Sequence, residues 1–152
     1  MLPKSPASAR AKANQRRGKI FEQRCAELAN EHGVETRVVI RKSYGESAYD
    51  LVFKDYPSYA LDCKYTTGHF TLVDLENKLK KCITRYCTVK DDAGNPTEIR
   101  NGKQAIIIFG ERKGKTKVSD QNLGVALESS VGMVVMPFLQ WLRALVQQEE
   151  TI

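Results

Sequence analysis

The spacing of apolar positions along the chain changes several times, and each change marks an element. From Gln15 to about His32 the apolar residues Phe21, Cys25, Leu28 and Ala29 recur at helical spacing, with Ile20 at the margin and Gly33 as the stop. Thr36 to Arg41 reads as a strand. Between Ser47 and Tyr65 the period drops to two. Tyr49, Leu51 and Phe53 alternate with Asp50 and Val52, and Tyr59, Leu61, Cys63 and Tyr65 alternate with Ala60, Asp62 and Lys64. Lys54 to Ser58 carries the turn residues between them, so this stretch predicts a β-hairpin. Leu72 to Tyr86 is an amphipathic helix with Leu72, Leu75, Leu79, Cys82, Ile83 and Tyr86 on one stripe. Thr88 to Gly102 is a hairpin-like excursion. Gln104 to Phe109 is a continuous apolar run, as in a strand covered on both faces. A basic loop from Gly110 to Val118, a short helix at 120–129 and a second buried strand at Val131 to Met136 follow. Pro137 opens a final helix with Phe138, Trp141, Leu142 and Leu145 inward. The order predicts an α/β chain, a mixed central sheet flanked by helices.

The hairpin is where the pattern becomes chemical. Setting Phe53 opposite Tyr59 merges the two apolar rows and brings Asp50 opposite Asp62, with Lys64 on the same face as Asp62. Like charges at facing positions destabilise a sheet, so two carboxylates there call for a counter-charge. A divalent cation with hard oxygen ligands, Mg²⁺ or Mn²⁺, answers that need. Lys64 then stands where it can position a water or stabilise a developing negative charge. Asp-x-Lys alone also describes a solvated, ion-paired hairpin face. The upstream helix adds Glu22, which lies 3 and 4 residues before Cys25 and Ala26 and so borders the buried stripe.

Charge is placed unevenly. Residues 1–19 hold Lys4, Arg10, Lys12, Arg16, Arg17 and Lys19 and no acid, which accounts for the whole net charge of +6. Residues 1–14 read as a flexible basic arm and 15–152 as one domain. A basic arm on a neutral body suits a polyanion, above all nucleic acid. Candidate backbone contacts are Arg16, Arg17, Lys19, the loop residue Ser43, and Arg112, Lys113, Lys115 and Lys117, with Lys80 and Lys81 on a further helix face. No apolar run approaches the length that spans a membrane. The four cysteines, Cys25, Cys63, Cys82 and Cys87, form no C-x-x-C pair and fall on apolar stripes, as reduced thiols of an intracellular protein do.

Gly18-Lys19-Ile20-Phe21-Glu22 at a helix start, Asp50 on a second strand and Asp62-Cys63-Lys64 on a third together resemble the PD-(D/E)xK nuclease superfamily, over roughly residues 15–110. Size, the arginine-rich lead into the first helix and the loop before Asp50 look most like archaeal-type Holliday junction resolvases. The resemblance implies a restriction-endonuclease-like αβββαβ core and a homodimeric, Mg²⁺-dependent endonuclease acting on branched DNA. By position it makes Asp50, Asp62 and the backbone carbonyl of Cys63 metal ligands, Glu22 a third carboxylate, direct or through water, and Lys64 the residue assisting the nucleophilic water. Asp62 stands where that resolvase branch usually has glutamate, and Tyr49 where a proline is often found. Other nucleases on the same core, and a nucleic-acid-binding module without catalysis, are the rival readings.

Overall fold

A computed structural model describes residues 6–39, 49–112 and 118–150. Three helices, α1 (Pro6–Glu31), α2 (Leu72–Tyr86) and α3 (Phe138–Glu150), flank a six-stranded mixed sheet. Its strands are β1 (Thr36–Val38), β2 (Leu51–Phe53), β3 (Tyr59–Thr66), β6 (Gln104–Glu111), β7 (Gly124–Ser129) and β8 (Gly132–Pro137), side by side in that order. β4 (Thr88–Lys90) and β5 (Pro96–Arg100) pair with each other as a separate hairpin. The chain is therefore α/β with a mixed central sheet.

The sheet is antiparallel throughout except at its centre, where β3 and β6 run parallel from Tyr59↔Gln104 to Thr66↔Glu111. A parallel pair needs a crossover, and α2 supplies it. Side chains of β3 and β6 alternate between two cores. Leu61, Ile106 and Ile108 face α1 and α3, while Ala60, Ile107 and Phe109 face α2. This is why Gln104–Phe109 carries an unbroken apolar run: both faces of β6 are covered.

Several expected boundaries shift. α1 starts at Pro6 rather than near Gln15, so much of the basic arm is helical. Its Ala-, Lys-, Arg- and Gln-rich first half has high helix propensity, and proline suits a first turn. Gly33 ends the helical region with φ +87°, which a side chain would strain. α2 spans the expected residues and opens on a capping box between Thr71 and Asp74. Its stripe is narrower than expected, because Leu72 is exposed. β6 runs on through Gly110 and Glu111, which were expected to open the basic loop, and residues 113–117 lie outside the described residues. The short helix expected at 120–129 is a single 3-10 turn (Asp120–Asn122) followed by β7. Gly124, Val125 and Ala126 are all buried there against β6, and the pairing overrides the local helical tendency. β8 is an edge strand with one neighbour, half-exposed rather than buried on both faces. α3 buries Phe138, Trp141, Leu142 and Leu145 as expected. Residues 40–48, including the end of the expected first strand, lie outside the described residues.

Gly124 is required by close approach rather than by φ. It faces Phe109 across the β6–β7 ladder, and a Cβ at 124 would run into the Phe109 ring. That ring is held edge-on against Phe70, with centroids 5.8 Å apart. Gly124→Ala is expected to destabilise the fold by about 1–3 kcal/mol, as overpacking does, seen as a lower urea midpoint at unchanged m-value.

Candidate functional site

The site forms where β2 and β3 part. Along β3, even-numbered residues direct their backbone groups to β6: Gln104 N–H donates to Ser58 O and Arg112 N–H to Thr66 O, both at 2.8 Å. Odd-numbered residues direct theirs to β2, and Leu61 O accepts the Asp50 N–H at 2.9 Å. The register Leu51↔Leu61 is the expected one. At Asp50 the ladder breaks. Its N–H points to β3 while its C=O accepts Val39 N–H on the β1 side at 2.9 Å, whereas a regular strand residue sends both groups the same way. The next β2-facing donor, Cys63 N–H, is taken by the Asp50 carboxylate, with Oδ2 at 2.8 Å. Asp50 thus turns into the gap between the strands instead of standing squarely opposite Asp62 on one face. By the same alternation the Cys63 carbonyl is directed to this edge.

Asp62 projects toward α2 and is 5% exposed. Lys64 Nζ lies 2.9 Å from its Oδ2, and the Cys82 thiol donates to the same oxygen at 3.4 Å. Burial, then the adjacent Asp50 carboxylate, push the Asp62 pKa up, and together they outweigh the pull of Lys64 downward. Burial alone lowers the Lys64 ammonium, but its contacts with Asp62 and the charge of Asp50 outweigh that, and its pKa ends raised. Both partners of one ion pair are therefore raised, because Asp62 answers to burial and Asp50 more than to Lys64. Lys64 stays an ammonium at neutral pH. Cys82, pushed up to about 12 by burial and then by Asp62, stays a thiol and a donor.

Glu22 sits half-buried on α1, across the sheet from α2. The Cys63 thiol is raised by burial first, then by Cys25, with the charges of Asp50 and Glu22 adding to it, so Glu22 is felt at the same edge. Among the described residues no group of three or more His, Cys, Asp or Glu side chains is arranged to hold a metal. Two adjacent carboxylates and a backbone carbonyl are nevertheless an all-oxygen donor set, and Mg²⁺ commonly takes only one or two protein carboxylates and keeps several waters. The mutual repulsion that raises Asp62 is what such a cation would relieve.

Asp50 and Asp62 are buried, and one residue of the cluster, Lys64, also lines a cleft beside α1. This cleft of about 400 Å³ is lined by Arg17, Gly18, Lys64, Tyr65 and Thr66 among others. Arg16 and Lys19 are exposed on the same helix. Arg112, at the end of β6, lines a neighbouring cleft. Ser43, Lys113, Lys115 and Lys117 lie outside the described residues. Lys80 and Lys81 line a separate groove between α2 and the β4–β5 hairpin. Cys82 was hidden in the sequence as one more apolar-stripe residue. The available signal was its place on the α2 face that packs against the strand bearing Asp62. The four cysteines are free, as expected.

No helix of the described residues is long and apolar enough to cross a membrane. Comparison of the chain with protein-family models, with curated proteins and with solved structures finds no match.

A carboxylate raised in the fold binds its proton more tightly there than in the unfolded chain. The stability that Asp62 contributes is therefore full below the ordinary carboxylate range and is lost as pH rises through the raised native value. Asp62→Asn is expected to raise the melting temperature at pH 7.5 and to lose that advantage at pH 3.5, measured by thermal unfolding at both.

Proposed function

We propose that this protein is a metal-dependent DNA endonuclease of the PD-(D/E)xK kind, hydrolysing phosphodiester bonds in branched DNA as a homodimer. The observation that carries this reading is the cluster of Asp50, Asp62 and Lys64 where β2 and β3 part, beside a cleft that Lys64 and Arg17 of α1 both line. The order α1–β1–β2–β3–α2–β6, with β6 returning parallel to β3, supports a restriction-endonuclease-like αβββαβ core into which β4 and β5 are inserted.

Asp50, Asp62 and the Cys63 carbonyl would hold Mg²⁺ or Mn²⁺, with Glu22 reaching it through water. Bound there, the ion supplies charge neutralisation at the scissile phosphate and a water of lowered pKa. Lys64 contributes a fixed positive charge at Nζ. Its raised pKa suits it to stabilising the developing negative charge and orienting the attacking water, and not to taking the proton. Cys82 holds one Asp62 oxygen by a thiol hydrogen bond, fixing that carboxylate's rotamer. Arg16, Arg17, Lys19 and Arg112 would contact the phosphate backbone, which positions a duplex without reading its sequence.

The test is cleavage of a four-way junction beside linear duplex, flap and single-stranded DNA. Asp50→Asn, Asp62→Asn and Lys64→Met are each expected to lose about a hundredfold or more of the rate, the scale on which single groups that stabilise transition-state charge act. In the absence of DNA, Mg²⁺ or Mn²⁺ is expected to raise the melting temperature of the wild type and leave that of Asp62→Asn unchanged. A wild type that cuts none of these substrates, or cuts them equally well after Asp62→Asn, sinks the proposal.

A further inference from the structure

A second cavity of about 520 Å³, bounded by α1 and the ends of β3 and β6, neighbours the cleft beside Lys64, and Arg17 and Tyr65 line both. The second cavity has two kinds of wall. One is apolar and aromatic: Ile20, Phe21, Tyr65 and Val118. Ile20 is 58% exposed, an uncovered apolar side chain among the charged residues of α1. Tyr65 is braced from behind by Phe21, with ring centroids 5.4 Å apart, so its position is fixed.

The other wall carries Arg17, Arg24 and Arg112 with one carboxylate, Asp120, and its two inner arginines differ. Arg24 is satisfied: its Nε donates to Asp120 Oδ1 at 3.1 Å and a second nitrogen to Oδ2 of the same carboxylate. Arg112 is not. Its Nε is buried and has no hydrogen-bond partner. Buried donors are nearly always paired, because leaving one unmade forfeits its hydration. Arg112 also lines the open cavity, and among the described residues no carboxylate is paired with its guanidinium. Arg17, exposed at the junction of the two clefts, provides the second cation.

A planar apolar group with an anion attached fits these walls, and a nucleotide is such a group. The volume lies within the range of small-ligand sites. It is far too small for a duplex, in which the bases stay stacked and out of reach. We infer that this cavity receives one unpaired nucleotide next to the scissile phosphate, its base against Ile20 and Tyr65 and its phosphate on Arg112 and Arg17. The inference deepens the nuclease reading and rests on it for the direction in which the strand runs from Lys64. It narrows the substrate class to DNA with an unpaired nucleotide beside the cut, at a branch point, flap or end, and sets uninterrupted duplex apart. Base–aromatic and base–apolar stacking tolerates any base, which suits an enzyme that reads shape.

The test separates base from charge. Binding of a fluorescent short oligothymidylate and of an abasic oligomer of equal length is followed by anisotropy, with EDTA present so that nothing is cut. Both carry the same phosphates, so a difference between them reports the base. The wild type is expected to bind the oligothymidylate about tenfold tighter. Ile20→Ser, at an exposed position that leaves the core intact, is expected to bring that ratio to about one. Arg112→Gln is expected to weaken both oligomers alike and to flatten the dependence of log affinity on log salt by about one unit. Asp62→Asn is expected to retain the preference. Equal binding of the two oligomers by the wild type, or an unchanged ratio in Ile20→Ser, overturns the inference. Because EDTA removes the chemistry, a base preference in a protein that cuts no DNA leaves the cavity assignment standing while the nuclease reading falls. Cutting of DNA without a base preference does the reverse.

Discussion

One hydrogen bond decides what kind of surface the centre of this sheet can offer. Cys63 N–H on β3 is a ladder donor whose natural partner is a backbone carbonyl on β2, and it is met by the Asp50 carboxylate instead. The substitution follows from the turn of the chain at Asp50, whose amide and carbonyl are tied to strands on opposite sides. Once the two strands diverge there, the sheet has an interior opening rather than a seam. A carboxylate at the mouth satisfies the amide that the β2 backbone does not reach. Without a side chain long and acidic enough to bridge that gap, the amide would be left unpaired next to the core.

The opening carries an electrostatic conflict. Asp62 is buried next to Asp50, and a single ammonium does not compensate for two carboxylates removed from water. The fold tolerates this because α2 brings the Cys82 thiol to Asp62 and because Lys64 sits two residues along the same face of the same strand. Both supports come from regular elements. The strand period fixes the Asp62–Lys64 pair, and the helix stripe fixes Cys82, so the cluster is held rigidly while remaining short of positive charge. A site of this kind is less stable than its apolar equivalent, and under the proposed reading a bound cation would relieve the conflict.

Much of this was legible in the chain. The period-two alternation on both sides of Lys54–Ser58 specified the hairpin and its register, since a slip by one residue would have exposed Leu51, Phe53 and Leu61. The same alternation paired Asp62 with Lys64. α2 and α3 were readable because each has a single apolar stripe with a polar back. What the sequence hid was determined by tertiary pairing. β7 looks helical locally, and only burial between β6 and β8 makes it a strand. The in-plane turn of Asp50 depends on hydrogen bonds to Val39 and Leu61, from two different strands, which no local pattern encodes. The cavity behind Lys64 is assembled from α1, β3, β6 and the segment before β7, and its key feature, an unpaired Arg112 nitrogen, is invisible until those elements meet.

The glycine that ends β6 ties the sheet to the cleft. Gly110 is buried under α1, and a Cβ there would sit 2.8 Å from Phe21 Cε2 and 3.1 Å from Leu123 Cδ2. Its bare backbone lets the helix settle close against the end of the strand. That contact sets the distance between the basic face of α1 and the Asp62 carboxylate on β3, because Phe21 is also the residue that braces Tyr65. A larger residue at 110 would have to lift α1, or turn the Phe21 ring, and either response would move Tyr65 and Arg17 relative to Lys64. The helix that brings positive charge to the cleft is thus positioned by the same packing that closes the core. The basic face of α1 and the hydrophobic centre of this molecule are consequences of one arrangement.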